Sequence, residues 1–315
     1  MRALVTGGAG FIGSTLVDRL LAEDHSVDVV DDLSSGTLTN LAEARRDHPR
    51  RLSFHRLDIR SSAIGDLMQR RRPDVVYHLA ALTNVAGSIA DPVDDAEVNL
   101  LGALRVIDAA RQSGVTKVVF ASSADIYGQI ASSDLPVRES QPQRPETPHG
   151  AAKKAVVDYL WTYRQLHNLE FTALVLPNVY GPRQMASKPG PVVATFVERL
   201  LAGEACTLEG NGRQTRDFVY VDDVVDAFAR AARRGGGLLL NVGTGIETSV
   251  AAVYQVVATA VGVNRKTLSG PRRPGETPRL CLDPSRAEIH LGWKPWTTLA
   301  EGVSSVVNAT NGLTA

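Results

Sequence analysis

Gly7-Gly-Ala-Gly10-Phe-Ile-Gly13 is the first stretch of the chain whose residue types and spacing could do chemistry. Glycine at 7 permits a tight turn, and glycine at 10 lets backbone amides approach a diphosphate. Glycine at 13 lets a helix pack closely on a strand, and the N-terminus of that helix, at Phe11 and Ile12, favours phosphate charge. An acidic pair, Asp31-Asp32, follows about twenty residues on. A carboxylate there binds both hydroxyls of a ribose and repels a 2′-phosphate, so the expected ligand is NAD rather than NADP.

Such a turn works only between a strand and a helix, and the chain supplies both. Short apolar runs at Ala3–Thr6, Val27–Asp31, Leu52–Leu57, Val75–Leu79, Val118–Ala121 and Thr172–Leu176 read as strands covered on both faces. Between them Ile12–Leu21, Ile64–Arg70, Asp94–Gln112 and Ala151–His167 read as helices, with Val98, Leu101, Leu104 and Ile107 at helical spacing. The alternation predicts an α/β fold, a modified Rossmann doubly wound parallel sheet with a smaller C-terminal substrate-binding domain. Residues 1–176 form the NAD-binding domain in this reading, with 216–244 returning to it, and 177–215 plus 245–315 form the second. In the second half Pro177–Pro191 and Arg272–Glu276 read as loops, Phe218–Val221 as a strand, and Val192–Leu201, Asp222–Arg233 and Leu299–Asn308 as helices. Long loops beyond the carboxyl ends of a parallel sheet build ligand crevices.

Composition narrows the function further. Thirty-four basic residues balance thirty-four acidic ones, which removes the electrostatic footprint of a nucleic-acid binder. Two cysteines, Cys206 and Cys281, in no paired spacing give neither a disulfide framework nor a zinc site, and no metal is expected. No apolar run reaches membrane-spanning length and no signal-peptide pattern precedes the first strand, so the expectation is a cytoplasmic protein.

Five segments together carry a resemblance: Thr6–Gly13, Asp31-Asp-Leu-Ser34-Ser-Gly36, His78-Leu79-Ala80-Ala81, Asn178-Val-Tyr-Gly-Pro-Arg183 and Arg216-Asp-Phe-Val-Tyr-Val-Asp-Asp223. In this order they resemble the extended short-chain dehydrogenase/reductases, and within them the nucleotide-sugar epimerase/dehydratase group. The resemblance implies NAD, a nucleotide-diphosphate sugar and a homodimer built through the helices at 94–112 and 151–167. It places Ser34 and Gly36 at the cofactor, Asp58 and Ile59 at the adenine, and Leu79, Ala80 and Ala81 along the middle of the cofactor. Asn99 takes a cofactor or strand-bracing position, and Pro177 borders the nicotinamide. From the residues alone, Asp58 also suits a cap, His78 a satisfied core histidine and Trp293 a packing anchor.

In that family a Ser or Thr, a Tyr and a Lys one helical turn later carry the chemistry. Phe120-Ala-Ser-Ser123 matches the hydroxyl segment, and Pro148-His149-Gly-Ala-Ala-Lys153 matches the tyrosine–lysine segment with histidine in the tyrosine's place. An imidazole is a competent base near neutral pH, with a reference pKa of about 6.5 against about 10 for tyrosine. Storing a proton as imidazolium beside Lys153 and an oxidised nicotinamide is unfavourable, which points to slower redox chemistry or a proton relay. Three readings stay open: His149 as working base, another residue moving the proton, and a non-catalytic binding protein. Asp125 stands where the resemblance places a carbon acid–base in dehydratases, decarboxylases and 3,5-epimerases, and it also suits a loop carboxylate bonding backbone amides. On the substrate side the resemblance assigns Asn178, Arg216 and Arg273 to a diphosphate, with Arg183 in the flanking loop and Thr83 near the hexose; arginine's planar fork suits phosphate oxygens. The expected activity is C4 epimerisation through a transient 4-ketone.

Overall fold

The structure, a computed structural model, describes residues 1–186, 190–271 and 278–314. Runs of branched apolar residues form the strands β1 (Arg2–Thr6), β2 (Ser26–Asp31), β3 (Leu52–Arg56), β4 (Val75–His78), β5 (Lys117–Ser123) and β6 (Glu170–Leu176). Shorter strands follow: β7 (Asn178–Tyr180), β8 (Thr207–Glu209), β9 (Thr215–Arg216), β10 (Phe218–Tyr220), β11 (Leu238–Asn241), β12 (Thr248–Ser249) and β13 (Leu268–Gly270). Among the described residues, one sheet has the order β11-β6-β5-β4-β1-β2-β3, with every neighbouring pair parallel. The order reverses between β1 and β4, and the crevice beyond the carboxyl ends of strands at such a switch point is where α/β sheets bind ligands.

Both faces of the sheet are covered, as the continuous apolar strands predict. Alternation puts Val119 and Ala121 of β5 into one core and Val118 and Phe120 into the other. The first core is closed by helices Phe11–Ala22, Val192–Leu201, Val221–Ala231, Val250–Val261 and Leu299–Thr314, the second by Ala63–Arg71, Ala103–Gln112 and Pro148–His167. Trp293 is fully buried and its indole N–H donates to the Asp223 carbonyl at 2.7 Å, an anchor as expected.

Several elements differ from the sequence reading. The segment expected to be an unbroken loop from Pro177 contains β7, which pairs in parallel with β10; three residues between prolines are too few for an alternation to show. Helices Val250–Val261 and Ser285–Leu291 and the sheet strand β11 were not anticipated. The helix read as starting at Ala151 begins at Pro148, with Thr147 as its cap accepting the Gly150 N–H at 3.1 Å. A threonine cap before a proline at the first helical position is the standard start signal, and it draws position 149 into the first turn. The helix read as Asp94–Gln112 runs from Pro92 and is interrupted by a π-helical stretch, Glu97–Gly102. The loop expected at Arg272–Glu276 lies outside the described residues.

Asp217, between β9 and β10, ties that segment to the loop after β11 and to Leu282. Its fully buried carboxylate accepts the Thr244 N–H at 2.9 Å, the Thr244 hydroxyl at 2.6 Å, the Gly245 N–H at 3.3 Å and the Leu282 N–H at 3.1 Å. Asp217→Ala leaves those buried donors without an acceptor, at about 1–3 kcal/mol each. Denaturant unfolding should therefore show a loss of about 3 kcal/mol or more, and an unchanged midpoint would show that the carboxylate does not hold this junction.

Candidate active site

The glycine turn sits at the switch point. Gly7 has φ +70°, and a Cβ there would lie 2.7 Å from the Ala80 amide nitrogen, so β1 and β4 exit with backbone against backbone. A Cβ on Gly13 would overlap the Gly7 carbonyl, whereas one on Gly10 would meet only that carbonyl, at 3.2 Å. Helix Phe11–Ala22 has no side-chain cap and no acidic residue in its first turn, leaving its leading amides for an anion. This donor set, with the Gly7 carbonyl alone within reach of a Cβ at Gly10, fits a dinucleotide pyrophosphate.

Asp31 ends β2 and braces that turn: its carboxylate accepts the Ala9 N–H and the Leu33 N–H, each at 2.9 Å. Burial pushes its carboxyl up, against these two amides. Asp32 accepts from the Ser34 amide and hydroxyl, and Gly36 packs so closely on Ala9 that a Cβ would approach within 2.9 Å. The Leu79 N–H donates to the Thr6 carbonyl at 3.1 Å and the Ala80 N–H to the Thr6 hydroxyl at 3.3 Å. His78 is the satisfied core residue expected, 2.7 Å from Thr6 Oγ1 and stacked on Phe120. Asp58 is occupied locally, binding the Arg60 amide and guanidinium, while the Ile59 side chain is buried against Gly102.

On the other side of the crevice, β5 and the first turn of helix Pro148–His167 come together. Lys153 is buried, donates to the Ala121 carbonyl at 3.0 Å and lies 4.9 Å above the Phe120 ring. A Cβ on Gly150 would lie 2.6 Å from the Asp125 carbonyl oxygen, which fixes that turn on the Ala124–Tyr127 helix. Ser123 caps this short helix, its Oγ accepting the Asp125 N–H at 3.2 Å. His149 is 5% exposed, its amide donates to Ser88 Oγ at 3.3 Å, and its Nδ1 faces Asn99 Nδ2 at 3.3 Å and Asp95 Oδ1 at 3.9 Å. Burial first, then the Lys153 ammonium, lowers the imidazole pKa to about 4, against a backbone hydrogen bond at Leu82. Burial lowers Lys153 to about 8, against Asp95.

Asn99 is a brace: its amide clasps Leu82 from both sides, the Leu82 N–H donating to Oδ1 and Nδ2 donating to the Leu82 carbonyl, each at 2.9 Å. Asp125 is half-buried; burial pushes its carboxyl up while Ser123 and the Arg216 guanidinium hold it down, so Asp125 and Arg216 share one electrostatic neighbourhood. Ala81 and Thr83 lie on the loop after β4, with Thr83 exposed, and Pro177 and exposed Asn178 begin the β7 segment. Arg183 pairs with Asp18 at 2.7 Å and reaches Ser14 at 3.2 Å, so its guanidinium lies against helix Phe11–Ala22. Arg273 lies outside the described residues. Asp95 is a site residue that the sequence reading does not single out; an acidic residue in a first helical turn carries no signal of burial.

The crevice, the glycine turn and the Ser–His–Lys grouping define a Rossmann-type, NAD-dependent enzyme. The profile of the NAD dependent epimerase/dehydratase family matches residues 3–243, and the chain belongs to that family. A UDP-glucose 4-epimerase of Mycolicibacterium smegmatis is 46% identical over 309 residues, 98% of this chain and 97% of that one. The UDP-glucose 4-epimerase of Thermotoga maritima, solved with UDP-glucose, superposes with a TM-score of 0.95 at 36% identity over the whole of both chains. That of Thermus thermophilus, solved with NAD, gives 0.91 at 39% identity over 99% of each.

Two outcomes follow. Gly13→Val should release bound NAD, read as the dinucleotide recovered from heat-denatured protein; retention at the wild-type ratio would remove the close approach as a requirement. His149 and His78 have folded pKa values lowered to about 4 and about 3, below the ordinary value of about 6.5. Between these limits the unfolded chain binds more protons, so Tm should fall as pH drops from about 6.5 towards 4. His149→Phe removes its share and should flatten that slope.

Proposed function

We propose that the protein catalyses NAD-dependent C4 epimerisation of a nucleotide-diphosphate sugar through a transient 4-ketone, with His149 as the base. The observation that carries this reading is a neutral, buried His149 in the field of Lys153, whose ammonium is bonded to β5, the strand that ends at Ser123. The similarity to UDP-glucose 4-epimerases supports a UDP-hexose as substrate. Residues 1–176 with 216–244 hold NAD in this reading, and 177–215 with 245–315 hold the nucleotide sugar. Asn178, Arg216 and Arg273 bind the diphosphate, and Thr83 meets the hexose.

NAD, when bound, supplies a reversible hydride acceptor. His149 takes the proton of the C4 hydroxyl as the C4–H pair of electrons leaves, so the oxygen's electron pair closes the carbonyl. Ser123 orients that oxygen, and Lys153 holds the nicotinamide ribose. Return of the hydride to the opposite ring face, with the proton delivered from His149, completes inversion without net oxidation. Asp125 supports a second reading: a carboxyl raised by burial, near the guanidinium assigned to the diphosphate, could deprotonate carbon next to the ketone.

Apolar side chains of Val93, Leu101, Tyr159 and Leu166 are exposed on the helices at 92–112 and 148–167, which supports a homodimer through these elements.

His149→Phe should lower kcat about 10²-fold or more, and His149→Tyr should retain turnover. Unchanged turnover in the Phe variant removes the histidine from the mechanism. UDP-galactose incubated in deuterated water and followed by NMR should show inversion at C4 with no label on carbon; deuterium at C3 or C5 would favour the Asp125 reading.

A further inference from the structure

The side-chain amide of Asn99 has two hydrogens and three acceptors within reach: the Leu82 carbonyl at 2.9 Å, Asp95 Oδ1 at 2.7 Å and His149 Nδ1 at 3.3 Å. The two shorter contacts take both hydrogens. His149 Nδ1 is therefore not obliged to be an acceptor and is set to carry the ring proton itself, facing Asp95 Oδ1 at 3.9 Å with the Leu82 backbone beside it. Asp95 is 1% exposed and its Oδ2 has no hydrogen-bond partner among the described residues, so the carboxylate keeps accepting capacity in a dry setting.

We propose that Asp95 is a positioning residue for His149: with the Asn99–Leu82 clamp it holds the imidazole as the Nδ1–H tautomer, leaves the lone pair on Nε2, and balances the charge when Nε2 takes a proton. The catalytic half of this inference rests on His149 being the base, as in the preceding section. In the step concerned, the sugar O–H and C4–H bonds break, the Nε2–H bond and the C4 carbonyl form, and NAD, when bound, would be the acceptor of the departing hydride. The imidazolium then feels two opposing charges, Lys153 on its own helix and Asp95 on Pro92–Ala96, with Asn99 on the π-helical stretch, the Ser88 hydroxyl and the Leu82 backbone completing its surroundings. Asp95 is itself flanked by Lys153, Asn99 and Asp94. The Lys153 ammonium near the ring disfavours a stored proton, and Asp95 is a carboxylate placed to offset it.

The test uses the NAD-bound protein labelled with ¹⁵N-histidine, the His149 signals being assigned by their loss in His149→Gln. Nδ1 protonated and Nε2 bare at pH 7 is the expected result; a protonated Nε2 overturns the inference. Asp95→Asn keeps the shape and removes the charge. With UDP-galactose its kcat should fall at least about tenfold with KM little changed, and the acid limb of its pH profile should move to lower pH. Unaltered kcat and an unmoved limb overturn the inference while leaving His149 as base. If the wild type turns over no UDP-hexose and His149 still shows the Nδ1–H tautomer, the preceding reading and the catalytic half fall, and the clamp stands. The tautomer measurement on the wild type decides the matter even if Asp95→Asn does not fold.

Discussion

Everything functional in this protein depends on two backbones touching where the sheet reverses its order. Gly7, leaving β1, lies against Ala80, leaving β4, with no room for a side chain between them. The Gly7 N–H donates to the Val30 carbonyl at 2.8 Å, and Thr6 meets His78 and Ala80 below, so the turn is bonded to three strands at once. Because all seven strands run in parallel, their carboxyl ends share one edge. That edge therefore collects the anion-facing helix start, the acidic end of β2, the hydroxyl end of β5 and the loop that carries Leu82.

The second constraint is electrostatic. Lys153, Asp95 and His149 occupy a region nearly closed to water, where an unpaired charge is costly. Each is held by a neighbour of known direction: Lys153 by the Ala121 carbonyl, Asp95 by the Asn99 amide, and the His149 backbone by Ser88. Asn99 links the group to the β4 loop, so the strand exit and the first turn of the 148–167 helix cannot move independently. Its position within a π-helical stretch is in keeping with the occurrence of such stretches at functional sites.

What could be read from the sequence is what local backbone geometry demands. The glycine spacing, the acidic pair at the end of β2 and the alternation of strands and helices are such demands, and they lead directly to the sheet and its cofactor crevice. Ser123 and Lys153 were legible because their neighbours form recognisable segments. Asp95 was not, since the same two acidic residues on an exposed first turn would look identical; only packing buries one of them. The π-helical interruption has no composition of its own, and the pairing of Arg183 with Asp18 joins positions far apart in the chain. β7 failed to register because three residues cannot establish a period.

The identity of residue 149 reverses the electrostatic problem that its neighbours must solve. A phenol at that position would begin neutral with a pKa of about 10 and become an anion on losing its proton, which a nearby ammonium favours. An imidazole begins neutral and becomes a cation on gaining one, which the same ammonium disfavours. Lys153 therefore helps a phenol and hinders an imidazole, and keeping it in place gives the histidine a ready lone pair at the expense of a poorly tolerated product of proton transfer. Burial acts in the same sense, since it lowers the affinity of the ring for protons. A base so arranged accepts protons weakly unless a negative charge lies near the ring to offset the ammonium. The carboxylate of Asp95, buried, with one oxygen unbonded among the described residues and the other 3.9 Å from Nδ1, supplies such a charge.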